Sequence, residues 1–195
     1  MATTSQASPQ VYLLLPDPDR YQWVFPVRKE DQAVLKRFRG EPIHGTWKPP
    51  LQVEIRRKND HGKVLREADF PCSFWPGVYV FSDRAVTALH DLLEGRGELF
   101  PLSCPDGTYF AFNVTRVVEA LDTEHSTLKL LPTGRIMRVE RYEFFPDRVR
   151  DEVIFKVPSL HFIDAYVTSL FAERIAAAGL LGFQLRHVWP ADQPT

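Results

Sequence analysis

The 195-residue sequence holds only two cysteines, Cys72 and Cys104. A small secreted domain stapled by disulfides would carry a larger set, so the pair fits a reducing compartment. Residues 1–9 contain no basic stretch followed by an apolar core, which predicts that they are not a secretion signal. The longest aliphatic stretch near the start, residues 11–15, is too short to span a bilayer. Cytoplasmic residence is the expectation that follows. A formal net charge of −1 supplies no overall attraction to nucleic acid or to an anionic membrane, and neither is expected as a partner.

Signatures of chemistry are equally scarce. The six histidines, His44, His61, His90, His125, His161 and His187, stand alone, with no H-x-x-x-H or C-x-x-C pairing, so no metal is expected. There is no G-x-S-x-G elbow. Cys72 follows Pro71 in apolar surroundings and reads as a buried small hydrophobe; Cys104 sits at a turn near Asp106, which disfavours a thiolate. Gly95-Arg-Gly97 follows a helix instead of opening one, the wrong order for a phosphate cradle. Asp151 and Glu152 read as a solvated, charged loop. No catalytic residue and no cofactor are expected, and the chain is predicted to act through its surface, not as an enzyme.

What is present is a globular composition, 44% hydrophobic and 25% charged, long enough to bury a core without staples. Fourteen Phe, four Trp and sixteen Pro point to a filled, strand-rich core with many loops and few long helices. Residues 11–15, 21–25, 51–56, 78–81, 98–102, 108–114, 128–131, 153–155, 165–167 and 183–189 read as strands. Residues 63–65 would return from a turn at 59–62. Residues 136–145 read as one long strand whose apolar phase shifts between Val139 and Tyr142, which predicts a bulge or bend.

Three helices are expected. Residues 30–38 place Val34, Leu35 and Phe38 on one face, with Gly40 as the stop. A second begins at the Ser82 cap, carries Ala85, Val86, Leu89, Leu92 and Leu93 inward, and ends at Gly95. A third is capped by Thr168 or Ser169, carries Leu170, Phe171, Ile175 and Ala178 inward, and ends at Gly179. The second and third share a strand–cap–helix–glycine–strand order, which is either a structural echo or common punctuation. The fold expected is α+β, with mainly antiparallel, strongly bent sheets, two or three short helices and two strand–helix–strand units. Its expected limits are a disordered tail over 1–9, one domain over 10–190 and a short tail over 191–195.

Aromatic and arginine anchors are enriched where proteins meet. Trp23, Trp47 and Trp75 each lie beside proline or at a strand edge, and they suit either an interface or a core with one satisfied polar tip. Trp189, ending a strand, reads as core. Arg56, Arg57 and Lys58 are either a local basic patch or the solvated end of a strand. Trp23, Trp47, Trp75, Arg56 and Arg57 are therefore the candidate partner-binding residues.

The order of several short segments resembles a family of bacterial immunity proteins from polymorphic toxin systems, typified by a myxobacterial member. They are Val153-Ile-Phe-Lys-Val157, Tyr166-Val-Thr168 with Phe171, Ala178-Gly-Leu-Leu-Gly-Phe183 and Val188-Trp189. Gly40, Trp47, Ser82-Asp-Arg-Ala85, Asn113-Val114 and Ala120-Leu-Asp122 add to the likeness, which spans roughly residues 11–189. The resemblance implies a non-catalytic protein that binds and neutralises a toxin domain encoded beside it. It carries no site residues over, because the matching positions are mostly apolar or glycine. The other readings are a non-catalytic adaptor with a different protein partner, and an enzyme whose site is assembled from scattered residues.

Overall fold

A computed structural model describes residues 9–43, 45 and 51–190. Trp47, His44 and nearly all of both expected tails lie outside these residues.

The final strands of the chain build a sheet around its first one. Strands β1 (Val11–Pro16), β10 (Ile154–Lys156), β11 (Ala165–Thr168) and β12 (Phe183–Trp189) pair in the order β10-β11-β1-β12, antiparallel throughout. The other large sheet has six strands. These are β2 (Trp23–Pro26), β3 (Leu51–Arg56), β4 (Cys72–Ser73), β5 (Tyr79–Ser82), β6 (Gly97–Ser103) and β7 (Tyr109–Val114), in the order β4-β2-β3-β6-β7-β5. The β2–β4 and β3–β6 pairings are parallel and the others antiparallel. One face of this sheet supplies Val24, Val53, Val80, Phe100 and Ala111 to a single buried cluster with Phe38. Residues from five strands can meet in this way only if the sheet curls round them, as its strand twist favours.

Two helices fill the space between the sheets. Helix α2 (Asp83–Leu93) starts where the Ser82 hydroxyl accepts a hydrogen bond from the Ala85 amide, 3.1 Å away, as its sequence predicts. Helix α4 (Ser169–Ala178) ends at Gly179, whose φ of 58° is the left-handed cap. Leu89 and Leu93 of α2, Phe171 and Ile175 of α4, Phe81 and Phe112 of the curled sheet and Val167 of the other share one core. Burial of this kind is the main stabilising term for such a fold.

The two units echo each other in topology. Helix α2 joins β5 to β6, which flank β7, and α4 joins β11 to β12, which flank β1. Each helix therefore crosses over one antiparallel strand, a split βαβ arrangement.

The remaining strands, β8 (Thr127–Leu130) and β9 (Ile136–Arg141), form a separate two-stranded hairpin with irregular register. Single-turn helices α1 (Gln32–Leu35) and α3 (Pro146–Val149) and 3-10 turns at Lys29–Asp31 and Pro158–Leu160 are the other short described elements. The outer face of the four-stranded sheet packs Leu13, Phe155, Tyr166 and Trp189 against Leu121, Phe144 and Val149.

Several expectations are corrected. The helix expected over 30–38 is a 3-10 turn at Lys29–Asp31 followed by α1, because Leu35 and Phe38 are held by the curled-sheet core and not by helix length. Residues 63–65 make only an isolated Lys58–Val64 bridge. The strand expected over 136–145 ends at Arg141; Phe144 instead bridges Leu121 and buries against Phe155 and Trp189. Strand β7, whose alternation predicts Phe110, Phe112 and Val114 on one inward side, is buried on both faces, since Tyr109 and Ala111 fill the curled-sheet core while Phe112 and Val114 face the helices. Leu170 is 49% exposed and does not belong to the inner face of α4. Thr168 takes the cap position of α4, but its hydroxyl donates to the Glu152 carbonyl, 2.7 Å away. Glu152 itself is buried and paired with Arg116, not solvated.

Candidate partner-binding surface

Strand β2 alternates strictly. Val24 turns into the curled sheet, so Trp23 and Phe25 must turn out. The parallel pairing of β2 with β4 sets Trp23 opposite Cys72 and Val24 opposite Ser73, which brings Phe74 and Trp75 alongside. The four rings form a continuous strip. Trp23 and Phe25 stack at 6.0 Å between centroids, Phe25 and Phe74 lie at 5.2 Å, and Phe74 meets Trp75 edge-on at 5.6 Å. Phe74 is 46% exposed; the other three are half-buried. Contacts of this geometry stabilise the rings against one another beyond their burial.

Two cations sit on the strip. The antiparallel register of β3 places Arg56 opposite Trp23, and its guanidinium lies 4.2 Å from the Phe25 centroid. The Lys36 ammonium, just past α1, lies 5.4 Å from the Trp75 ring. Both distances fall within the range of cation–π attraction. The Trp23 indole donates weakly to the Pro18 carbonyl at 3.4 Å.

Three of the expected residues, Trp23, Trp75 and Arg56, are thus brought together. Arg57 points elsewhere, to Asp106 at 2.9 Å, and that hydrogen bond raises its already high pKa. Trp47 lies outside the described residues. Phe25, Phe74 and Lys36 complete the strip and were not singled out from sequence. The i, i+2 spacing of Trp23 and Phe25 is a signal for the first of them; the other two arrive through pairing across distant residues. Trp189 is core, as expected, with its indole donating to Glu143 at 3.0 Å.

Groups with chemical potential are committed to structure. Cys72 is buried, and burial together with Asp17 and Asp19 pushes its thiol up to about 12. Lys156 is fully buried and donates to the carbonyls of Phe38 at 2.8 Å and Gly77 at 3.4 Å. Burial pushes its pKa down to about 8, with Asp164 acting against the shift and Arg39 with it. Asp69 is buried and accepts from Ser82 at 2.9 Å, Arg84 at 2.7 Å and the Leu181 amide at 2.9 Å. Arg84 then reaches the carbonyls of Ala178 and Gly179, tying the start of α2 to the end of α4. Among the described residues no cluster of His, Cys, Asp or Glu is placed to hold a metal ion, and no helix is long and apolar enough to cross a membrane.

Compared with known proteins, residues 101–189 match the model of an immunity protein family described as Imm11. The resemblance read from sequence is borne out over that stretch, slightly under half of the chain, which runs from β6 to β12. No curated protein matches the chain. The aromatic strip lies outside the matched residues.

Proposed function

With the match of residues 101–189 to an immunity protein family as premise, we propose that this chain binds and neutralises a cognate bacterial toxin domain, without catalysis, metal or cofactor. The supporting observation is the strip of Trp23, Phe25, Phe74 and Trp75 with Arg56 and Lys36 laid over it. Its composition is that of the buried centre of protein interfaces. Rings already wedged against one another have little rotamer freedom left to lose, so docking onto them costs less ordering entropy.

In this reading Trp23, Trp75 and Arg56 are anchors, Trp47 is a further partner-binding residue, and Arg57, held by Asp106, lies off the strip. The toxin's active site or a neighbouring surface is covered by this face. Neutralisation takes place in the cytoplasm, where a toxin made by a sister cell or by the cell itself would act.

Co-expression of the chain with the toxin domain encoded beside it tests the proposal. Restored growth and a complex that survives gel filtration are expected. Substituting Phe74→Ala together with Arg56→Ala, both exposed, should abolish rescue while the thermal midpoint stays close to that of the parent. Unchanged toxicity and no complex at micromolar concentration would sink the proposal. A stable complex with another protein, without rescue, would instead support the adaptor reading.

A further inference from the structure

The near-zero net charge conceals a strong asymmetry. Residues 20–66 hold twelve Lys and Arg against five Asp and Glu, whereas the rest of the chain holds twelve against twenty. The basic segment supplies α1, β2 and β3, the wall that carries the strip. Its described cations are also left largely uncompensated. Among the described residues only Arg20, Arg56 and Arg57 of this segment have a carboxylate within 4.0 Å, and the Arg56 contact, to Asp60, is long at 3.7 Å. In the rest of the chain six arginines are paired, among them Arg84, Arg116 and Arg174.

We infer that this wall receives an acidic face of the toxin domain, an inference that rests on the immunity reading. Unpaired surface cations cost self-repulsion in the free protein, and a negative partner relieves it. Complementary charge also speeds encounter and fixes orientation, while the rings supply the contact that holds. The same combination of rings and cations serves single-stranded nucleic acid elsewhere, but there the bases stack on open ring faces. Here Arg56 lies over Phe25, Lys36 lies over Trp75, and the rings pack on one another. Cations lie over two of the four rings, Phe25 and Trp75, which leaves no two adjacent rings open to successive bases, so a protein surface is the occupant that fits. A toxin whose exposed cleft is lined with basic residues for phosphate would be repelled by this wall. The toxin contact here is accordingly acidic, whether or not it includes the active site.

Titration calorimetry of the full chain with the purified toxin domain, repeated at low and high salt, tests the inference. Affinity should fall about tenfold or more between roughly 50 and 500 mM salt. The Lys36→Glu and Arg56→Glu double variant should lose about 100-fold, and the neutral Lys36→Gln and Arg56→Gln pair about tenfold. Lys129→Glu, on the hairpin outside this wall, should change affinity less than about twofold. Circular dichroism confirms that each variant is folded, and the neutral pair decides the matter should the reversed pair fail to fold. Wild-type binding that ignores both salt and all four substitutions would overturn the inference and leave the immunity reading standing. Tight binding of a single-stranded oligonucleotide, lost in the same double variant, would overturn it in favour of nucleic acid. No wild-type complex at all would remove both readings.

Discussion

The wall formed by α1, β2 and β3 and the half built around the four-stranded sheet solve the same problem in opposite ways. In the second, arginines are matched by carboxylates: Glu152 holds Arg116, with its Oε2 2.9 Å from the arginine Nε, and Asp91 holds Arg174 at 2.6 Å. Its large rings, Phe155, Tyr166 and Phe144, pack against one another out of solvent. In the first, rings and cations stand at the surface with few carboxylates to meet them. Internal matching serves a scaffold, while an unmatched wall serves a partner. The family match covers three of the four strands of that sheet, β10, β11 and β12, and none of α1, β2 or β3.

Substitutions can break or sharpen this contrast. The largest effect should come from Phe81, fully buried between the curled sheet and the helices. Phe81→Ala should cost about 3–5 kcal/mol in urea denaturation. A loss below about 1 kcal/mol would mean that the two halves do not share that core.

Lys156 is the next test. Its folded pKa of about 8 lies below the ordinary lysine value of 10.5. Between these values the unfolded chain binds a proton that the folded chain has released, so stability rises with pH across this window. Relative to Lys156→Met, the native protein should gain roughly 3 kcal/mol from pH 8 to 10.5. Denaturation curves that shift in parallel for both proteins over that range would contradict the burial assigned to this ammonium.

Asp69→Ala should follow, at about 2–3 kcal/mol, because it strands Ser82, Arg84 and the Leu181 amide together. Thermal unfolding measures it; an unchanged midpoint would show that the link between α2 and α4 is dispensable. The smallest stability effect belongs to the strip. Phe74→Ala should cost less than about 1 kcal/mol in folding yet weaken toxin binding by about 30-fold. A variant that binds as tightly as its parent would move the partner site away from this wall.

Much of the scaffold was legible because its determinants are local. The alternation of Leu51, Val53 and Ile55 marked β3, and Ser82 with Gly95 bracketed α2. Gly179 marked the end of α4 in the same way. What escaped depends on residues far apart in sequence. Phe144 leaves the hairpin strand for rings that include one 45 residues later, Trp189. Glu152 is buried because Arg116 reaches it, and nothing adjacent to Glu152 announces that partner. For the candidate site, Trp23, Trp75 and Arg56 were visible as residue types suited to an interface. Their convergence was not, since it rests on the two-residue parallel pairing of β2 with β4. Arg57 separated from Arg56 because neighbours on a strand face opposite ways.

The position of β1 carries a consequence for how the chain is assembled. It is the first of the described strands in sequence, yet it lies between β11 and β12, the last two. A ribosome must therefore release the chain as far as β12 before that sheet can close. A fragment beginning at residue 101 would lack the strand that joins β11 to β12, and a synthetic peptide covering residues 9–18, supplied in trans, is the piece that would complement it.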